Sequence, residues 1–450
     1  VAAGLRARAG LLLGRLTARR RSAAAIEVYQ RVWRRWPEAA AAAEARLRAA
    51  EILRRRGRAE RAAELFAACI EAHPDSRAAA SSRWGLGWAA FRAGELERAL
   101  GWLQPLAAGP APQRAFEPDP AADGGRLQRR AAYWCGRIQQ QLGHRDEAAQ
   151  RYRALAAAQP LTYYAVLAAL RLRQLGAPVV RSADPLRPGP APLAALHAEV
   201  AAAVSLYRMG LEAEARIGLR HLRRADLRPL DRRWAARLRQ RMGDYSRSHR
   251  LAPVPRDRGL PAYPRPGWRG DGRLAFPRAF AEQVEGPARD PRVPALLLYA
   301  LMRAESGFWP RARSPAHARG LTQVITPTAW RVVRRLGIRG FRRWRLYQPQ
   351  TAVRIGSAYL GQLIERYGHA ALAIAAYNAG ETAVDRWLRR RGGLALDAFI
   401  EEIPYAETGR YTRRLLSWWA IYRALYRPPD EPLLELEFEL PKGRIFAAEP

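Results

Sequence analysis

Residues 57–74 read GRAERAAELFAACIEAHP, and residues 143–160 read GHRDEAAQRYRALAAAQP. Each stretch opens on a glycine, passes through an acidic turn into an alanine-rich amphipathic run, and stops at a proline. This is the second half of a helix–turn–helix. Glycine ends the first helix, acidic residues suit the N-terminus of the next, and small residues stand where the two must approach. The first halves lie upstream: a helix ending near Leu53–Arg56 precedes Gly57, and AAYWCGRIQQQL leads into Gly143. Between them, SSRWGLGWAAFRAG ends at Gly94 and is followed by ELERALGWLQPL. Gly57 and Gly94 are 37 residues apart. Gly94 and Gly143 are 49 apart, a gap lengthened by a Pro/Gly/Asp-rich insertion near 108–125.

A single pair of this size cannot bury its own apolar face, so successive pairs are expected to stack into a solenoid. The spacing resembles that of tetratricopeptide-type repeats. Downstream, residues 161–176 (LTYYAVLAALRLRQLG) predict a further amphipathic helix, followed by a Pro/Gly-rich linker at 177–193. Helical pattern resumes at 194–222 and 228–243. Residues 252–272, rich in Pro, Gly and Arg, break helix repeatedly and are expected to carry the main domain boundary. From about 275 to 427 the predicted helices are shorter and separated by Gly/Pro loops. The tail LLELEFELP (433–441) alternates apolar and acidic residues and fits either an edge strand or a disordered end.

Composition sets wider bounds. The chain has 450 residues, more than one compact core usually holds, and is 49% hydrophobic. Helix formers dominate and β-branched runs are few, which favours an all-α protein. Net charge is +36, from 77 basic against 41 acidic residues, and Lys442 is the only lysine. Such a field concentrates polyanions: nucleic acid, acidic lipid or an anionic wall polymer. Cys69 and Cys135 sit in helical apolar patterns and are expected to be two buried thiols rather than a disulfide. No run of 18 apolar residues exists to span a bilayer. The chain opens at Val1 with arginines inside its first apolar run, so an export signal is expected to be missing from it. Seven histidines show no ligand spacing and no Gly-rich phosphate loop occurs, so neither metal nor cofactor is expected.

The candidate site lies in VPALLLYALMRAESGF. Leu298, Leu301, Met302 and Glu305 fall at i, i+3, i+4 and i+7, which places the glutamate on the apolar stripe of its helix. Two readings follow. Glu305 is a helix-end carboxylate paired with Arg303 or Arg311, or a general acid whose carboxyl stays protonated because burial penalises its charge.

Residues 305–329, ESGFWPRARSPAHARGLTQVITPTA, then tilt the balance. They resemble the first motif of the Slt-type lytic transglycosylases of the lysozyme-like superfamily. Ala376-Tyr377-Asn378-Ala379-Gly380 resembles the second motif, and IPYAETGRYTRR (403–414) the third. The resemblance implies an all-α protein in which a tetratricopeptide-like superhelix (1–190) and a linker helical domain (191–270) precede a lysozyme-like catalytic domain (271–430) and a tail (431–450). It implies cleavage of the β-1,4 bond between N-acetylmuramic acid and N-acetylglucosamine in peptidoglycan, with Glu305 as acid and then base and a 1,6-anhydro product. Ser314 is implied to bond near the acid or the substrate's N-acetyl group. Thr322, Gln323, Tyr377, Asn378, Glu407 and Tyr411 are implied to line the substrate groove. A periplasmic or envelope location is implied as well.

Ser306, Trp309 and Trp330 read as structural residues. Three positions depart from the family pattern. Thr322 replaces its Met, His317 its Gly, and Gly409 its Arg, with Arg410 adjacent. His317 is expected to take ordinary backbone angles, and Thr322 to offer a hydroxyl to the groove. Three other functions remain open: a hydrolytic muramidase of goose-lysozyme type, a wall-binding scaffold with a decayed site, and nucleic-acid binding through the arginine-rich surface. Anionic wall polymers are further candidate partners.

Overall fold

In a computed structural model of the chain, the structure describes residues 2–108, 124–158, 161–177, 196–252, 268–287 and 289–441. The predicted insertion near 108–125, the linker at 177–193 and the boundary at 252–272 fall largely outside them, as does Lys442. All regular elements among the described residues are helices; two isolated β-bridges occur, Arg313 with Arg319 and Arg319 with Val324. By contacts the chain divides into two compact units. One comprises Val1–Leu155 with Arg171–Ala177, the other Ala156–Leu170 with Pro178–Pro450.

In the first unit the helices Ala2–Arg20, Ser22–Arg35, Ala40–Arg55, Ala59–Ala72, Arg77–Ala93, Leu96–Ala108 and Gly124–Gln141 each pack on the next. Alternate helices also touch, as in Ala40–Arg55 against Arg77–Ala93, and that in Arg77–Ala93 against Gly124–Gln141. This is the stacking a solenoid requires. The repeat glycines behave as the sequence predicts: Gly57, Gly94 and Gly143 have φ of +76°, +83° and +88°, the left-handed turn that ends a helix. Small residues admit aromatic rings. A Cβ on Gly85 would lie 2.8 Å from the Phe66 ring, and one on Gly136 would lie 2.7 Å from Tyr152. Cys69 and Cys135 are free and buried; the Cys69 thiol donates to the Ala43 carbonyl at 3.4 Å.

Beyond Ala156–Leu170, the second unit contains Ala198–Arg208, Glu212–Gly218 and Pro229–Arg241, where the sequence predicts helix at 194–222 and 228–243, and the further short helix Tyr245–Leu251. Its core is the helix Ala295–Ser306, hereafter the acid helix, whose Leu297 to Met302 are fully buried. It packs against the long helix Ala406–Tyr426. Ala370–Ala379 packs on both that long helix and Pro349–Tyr367, and Thr326–Arg335 covers Pro349–Tyr367. The tail forms neither strand nor loose end as far as Pro441. Leu434 and Phe438 are buried, the Phe438 carbonyl accepts from the Leu396 amide at 2.7 Å, and the Glu437 carbonyl meets His369 Nε2 at 2.9 Å. Its alternation serves burial without a strand partner.

Candidate active site

Glu305 is the penultimate residue of the acid helix. Pro294 opens that helix, and Gly307, in the left-handed region at φ +54°, closes it. Neither arginine proposed as its partner serves it. Arg303 is buried, with its guanidinium 4.1 Å from the rings of both Phe276 and Trp418 and its Nε donating to the Ala275 carbonyl. Arg311 is exposed. Instead the Tyr411 hydroxyl donates to Glu305 Oε1 at 2.5 Å. Burial pushes the Glu305 carboxyl up to about 7. The Tyr411 bond and the positive charge of Arg414 oppose that rise, and Glu407 adds to it. Burial therefore favours the protonated form of this carboxyl near neutral pH, while the residue keeps partial access to solvent.

Glu407, Tyr411 and Arg414 lie at i, i+4 and i+7 on the long helix, so one stripe delivers the hydroxyl donor and both charges that act on the acid. Glu407 is exposed in the first helical turn, where it also complements the dipole. Arg414 is the functional candidate that sequence reasoning missed. It lies 5.3 Å over Trp418, which also carries Arg303 of the acid helix and meets the Phe276 ring edge to face. Arg410, the expected stand-in for the family arginine, is exposed, and the cation acting on Glu305 is Arg414. The long helix is anchored from outside the motif region. Arg413 pairs with the buried carboxylate of Glu401 at 3.4 Å, and the Tyr164 hydroxyl donates to the same carboxylate at 2.7 Å.

The loop from Gly307 to Ile325 is tightly wound. Gly307, Phe308, His317, Gly320 and Gln323 all have positive φ, and the two isolated bridges close it. A Cβ on Gly320 would lie 1.8 Å from the Leu346 carbonyl oxygen, so only glycine fits there. His317 corrects an expectation. It adopts φ +60°, the angle its missing glycine would favour, held by Arg313 Nη2 against its Nδ1 at 2.7 Å and by Arg319 donating to its carbonyl. Local contacts offset the strain that an ordinary residue carries there.

Thr322 is a second correction. Its side chain is fully buried, with its hydroxyl donating to the Ala352 carbonyl at 3.0 Å. It fills space that a Cβ on Gly356 would take, lying within 2.4–2.6 Å of that position. Its hydroxyl is therefore absent from any groove. Its carbonyl carries the link to the site by accepting from Tyr377 at 2.7 Å. Tyr377 also packs 5.1 Å from the Tyr359 ring and feels the charge of Glu305. Gln323 is folded back, its amide donating to the carbonyls of Ala312 and Gly320. Asn378 is exposed and its Oδ1 accepts from Thr408, the neighbour of Glu407. Ser314 caps its own turn, accepting from the Ala318 amide at 3.1 Å. Ser306 is structural, donating to the carbonyls of Met302 and Leu321. The structure thus gathers Tyr411, Glu407, Arg414 and Tyr377 around Glu305. Ser314 serves its own turn instead, and the Thr322 side chain fastens the loop to the helix Pro349–Tyr367.

Residues 283–400 match the transglycosylase SLT domain family, and residues 44–76 match the tetratricopeptide repeat. The soluble lytic murein transglycosylase of Escherichia coli (strain K12) is 33% identical over 162 residues, 35% of this chain and 25% of that protein. Among solved structures, the lytic transglycosylase Slt of Pseudomonas aeruginosa, an inactive glutamate-to-glutamine mutant, superposes with TM-score 0.64 at 25% identity. That match covers 95% of this chain and 64% of the other. The 70 kDa soluble lytic transglycosylase of Escherichia coli gives 0.65 at 21% identity, over 95% and 63%. The match to the curated relative spans about a quarter of its length, and the structural matches just under two thirds of theirs. The chain therefore resembles the Slt-type lytic transglycosylases and shares their all-α fold, a helical superhelix with a lysozyme-like domain. No described helix is long and apolar enough to cross a membrane.

Proposed function

We propose that this chain is a peptidoglycan lytic transglycosylase acting in the periplasm or cell envelope, with Glu305 as its catalytic acid and base. The observation that carries this reading is a carboxyl raised to about 7 by burial at the end of a buried helix, with Tyr411 as its hydrogen-bond donor. A group of that acidity gives up and recovers a proton at neutral pH. Protonated Glu305 donates to the bridging oxygen between N-acetylmuramic acid and N-acetylglucosamine as the C1–O bond breaks. The substrate's own N-acetyl oxygen stabilises the cationic centre, which removes the need for a second carboxylate. The muramyl C6 oxygen then attacks C1, its proton returns to Glu305, and the 1,6-anhydro ring closes. The two products together contain the atoms of the substrate, with no water added.

Tyr411 orients the carboxyl throughout. Gln323, Tyr377 and Asn378 supply the surrounding wall, and Glu407 and Arg414 set its field. Purified chain should release soluble fragments from sacculi, and Glu305→Gln should release none. Equal release by both, or by neither, would refute the assignment.

One observation favours a hydrolytic muramidase as the second reading. Glu407 is an exposed carboxylate close enough to act on Glu305, and a second carboxylate is what activation of water requires. The mass of the product separates the two.

A further inference from the structure

Between Glu305 and Glu365 the sequence contains no acidic residue and eleven arginines. Only Arg331 and Arg335 of these reach a carboxylate among the described residues, Glu381 and Glu365 respectively. The Arg-rich segment borders a cleft of about 190 Å³ on the second unit, apart from the Glu305 constellation. Its apolar floor is the half-buried Ile338, backed by Phe341 and Ile355, both buried. Arg345 and Arg354 stand at its wall, and neither has a carboxylate partner among the described residues. Gln350 and Thr351 complete it.

We propose that this cleft binds the free carboxylate of a short acidic peptide, and specifically the peptide that cross-bridges peptidoglycan strands, a source that rests on the function proposed above. Two guanidinium groups provide the planar donor forks that carboxylates take in pairs. Gln350 and Thr351 provide the amide and hydroxyl partners that a peptide backbone uses. The apolar floor suits the methyl of an alanine. The volume is below that of ordinary ligand pockets, so it takes one or two peptide residues rather than a sugar chain. A phosphate polymer would use the arginines and leave the floor and the amide without a role, which is why a peptide fits better.

The test is isothermal titration of the intact chain with L-alanyl-γ-D-glutamyl-L-lysine and with the same peptide amidated at its carboxylates. The acidic peptide should bind, weaken with added salt, and lose about tenfold in affinity in the Arg345→Gln/Arg354→Gln double variant, as two exposed ion pairs would give. The amidated peptide should bind as weakly as the acidic one does to the double variant. An unchanged unfolding midpoint and unchanged cleavage of peptide-free glycan confirm that the variant is folded. Equal affinity of wild type and double variant overturns the site, as does tighter binding of polyphosphate or duplex DNA at the same residues. If the chain cleaves no glycan but still binds the acidic peptide through these arginines, the cleft stands as an acidic-peptide site and only the glycan reading falls. If cleavage stands and peptide binding fails, this inference falls alone.

Discussion

Replacing Glu305 by Gln should stabilise the fold, and the gain should grow with pH. In the native state burial holds this carboxyl at about 7, against the ordinary value of 4.5 that it regains on unfolding. The folded chain therefore binds the proton more tightly than the unfolded chain. Stability from this group is complete below pH 4.5 and is lost as pH rises through 7. At about 1.4 kcal/mol per tenfold, the gap amounts to about 3 kcal/mol. The glutamine side chain matches the protonated acid in shape and cannot ionise, so it avoids that loss. Urea unfolding of wild type and Glu305→Gln at pH 4 and pH 8.5 measures the effect. The two proteins should be close at pH 4, and the variant more stable by about 3 kcal/mol at pH 8.5. A stability difference that does not change with pH would refute the reasoning, because it would mean that the carboxyl is solvated and its acidity ordinary.

Tyr411→Phe removes the donor that favours the ionised form, so the acid should become weaker. Activity requires the protonated carboxyl, and the alkaline limb of kcat/KM should move up by about one pH unit while kcat falls. Arg414→Gln should move that limb in the same direction but by less, and less still at high salt, because an exposed charge is screened. Gly320→Ala places a Cβ against the Leu346 carbonyl in a left-handed backbone and should cost at least about 3 kcal/mol in urea unfolding. His317→Asn should be nearly neutral in the same assay, whereas His317→Val should cost about 1–2 kcal/mol, because a β-branched residue resists φ +60°.

Sequence reading reached the helical organisation because its signals are local. Gly57, Gly94 and Gly143 adopt the left-handed turn that follows a helix, and the position of Glu305 follows from the apolar stripe of one helix. What it missed depends on partners distant in the chain. Thr322 turns inward because Gly356, 34 residues later, leaves a gap for it. His317 keeps a positive φ because Arg313 and Arg319 hold it, and a side chain that is not glycine gives no sign of that. Arg414 was legible in principle, three residues beyond Tyr411 on the same face. In a chain where arginine appears on nearly every helix, one more gave no contrast. Ser314 reads as a site residue in the motif, yet its hydroxyl is used by the turn it begins.

The central claim is that one carboxyl serves first as acid and then as base, with no water entering the product. Mass spectrometry of the muropeptides released from sacculi tests this most directly. The account predicts fragments ending in 1,6-anhydro-N-acetylmuramic acid, each one water lighter than the corresponding hydrolysed fragment. Fragments carrying that extra water, from a protein whose Glu305→Gln variant is inactive, would contradict it.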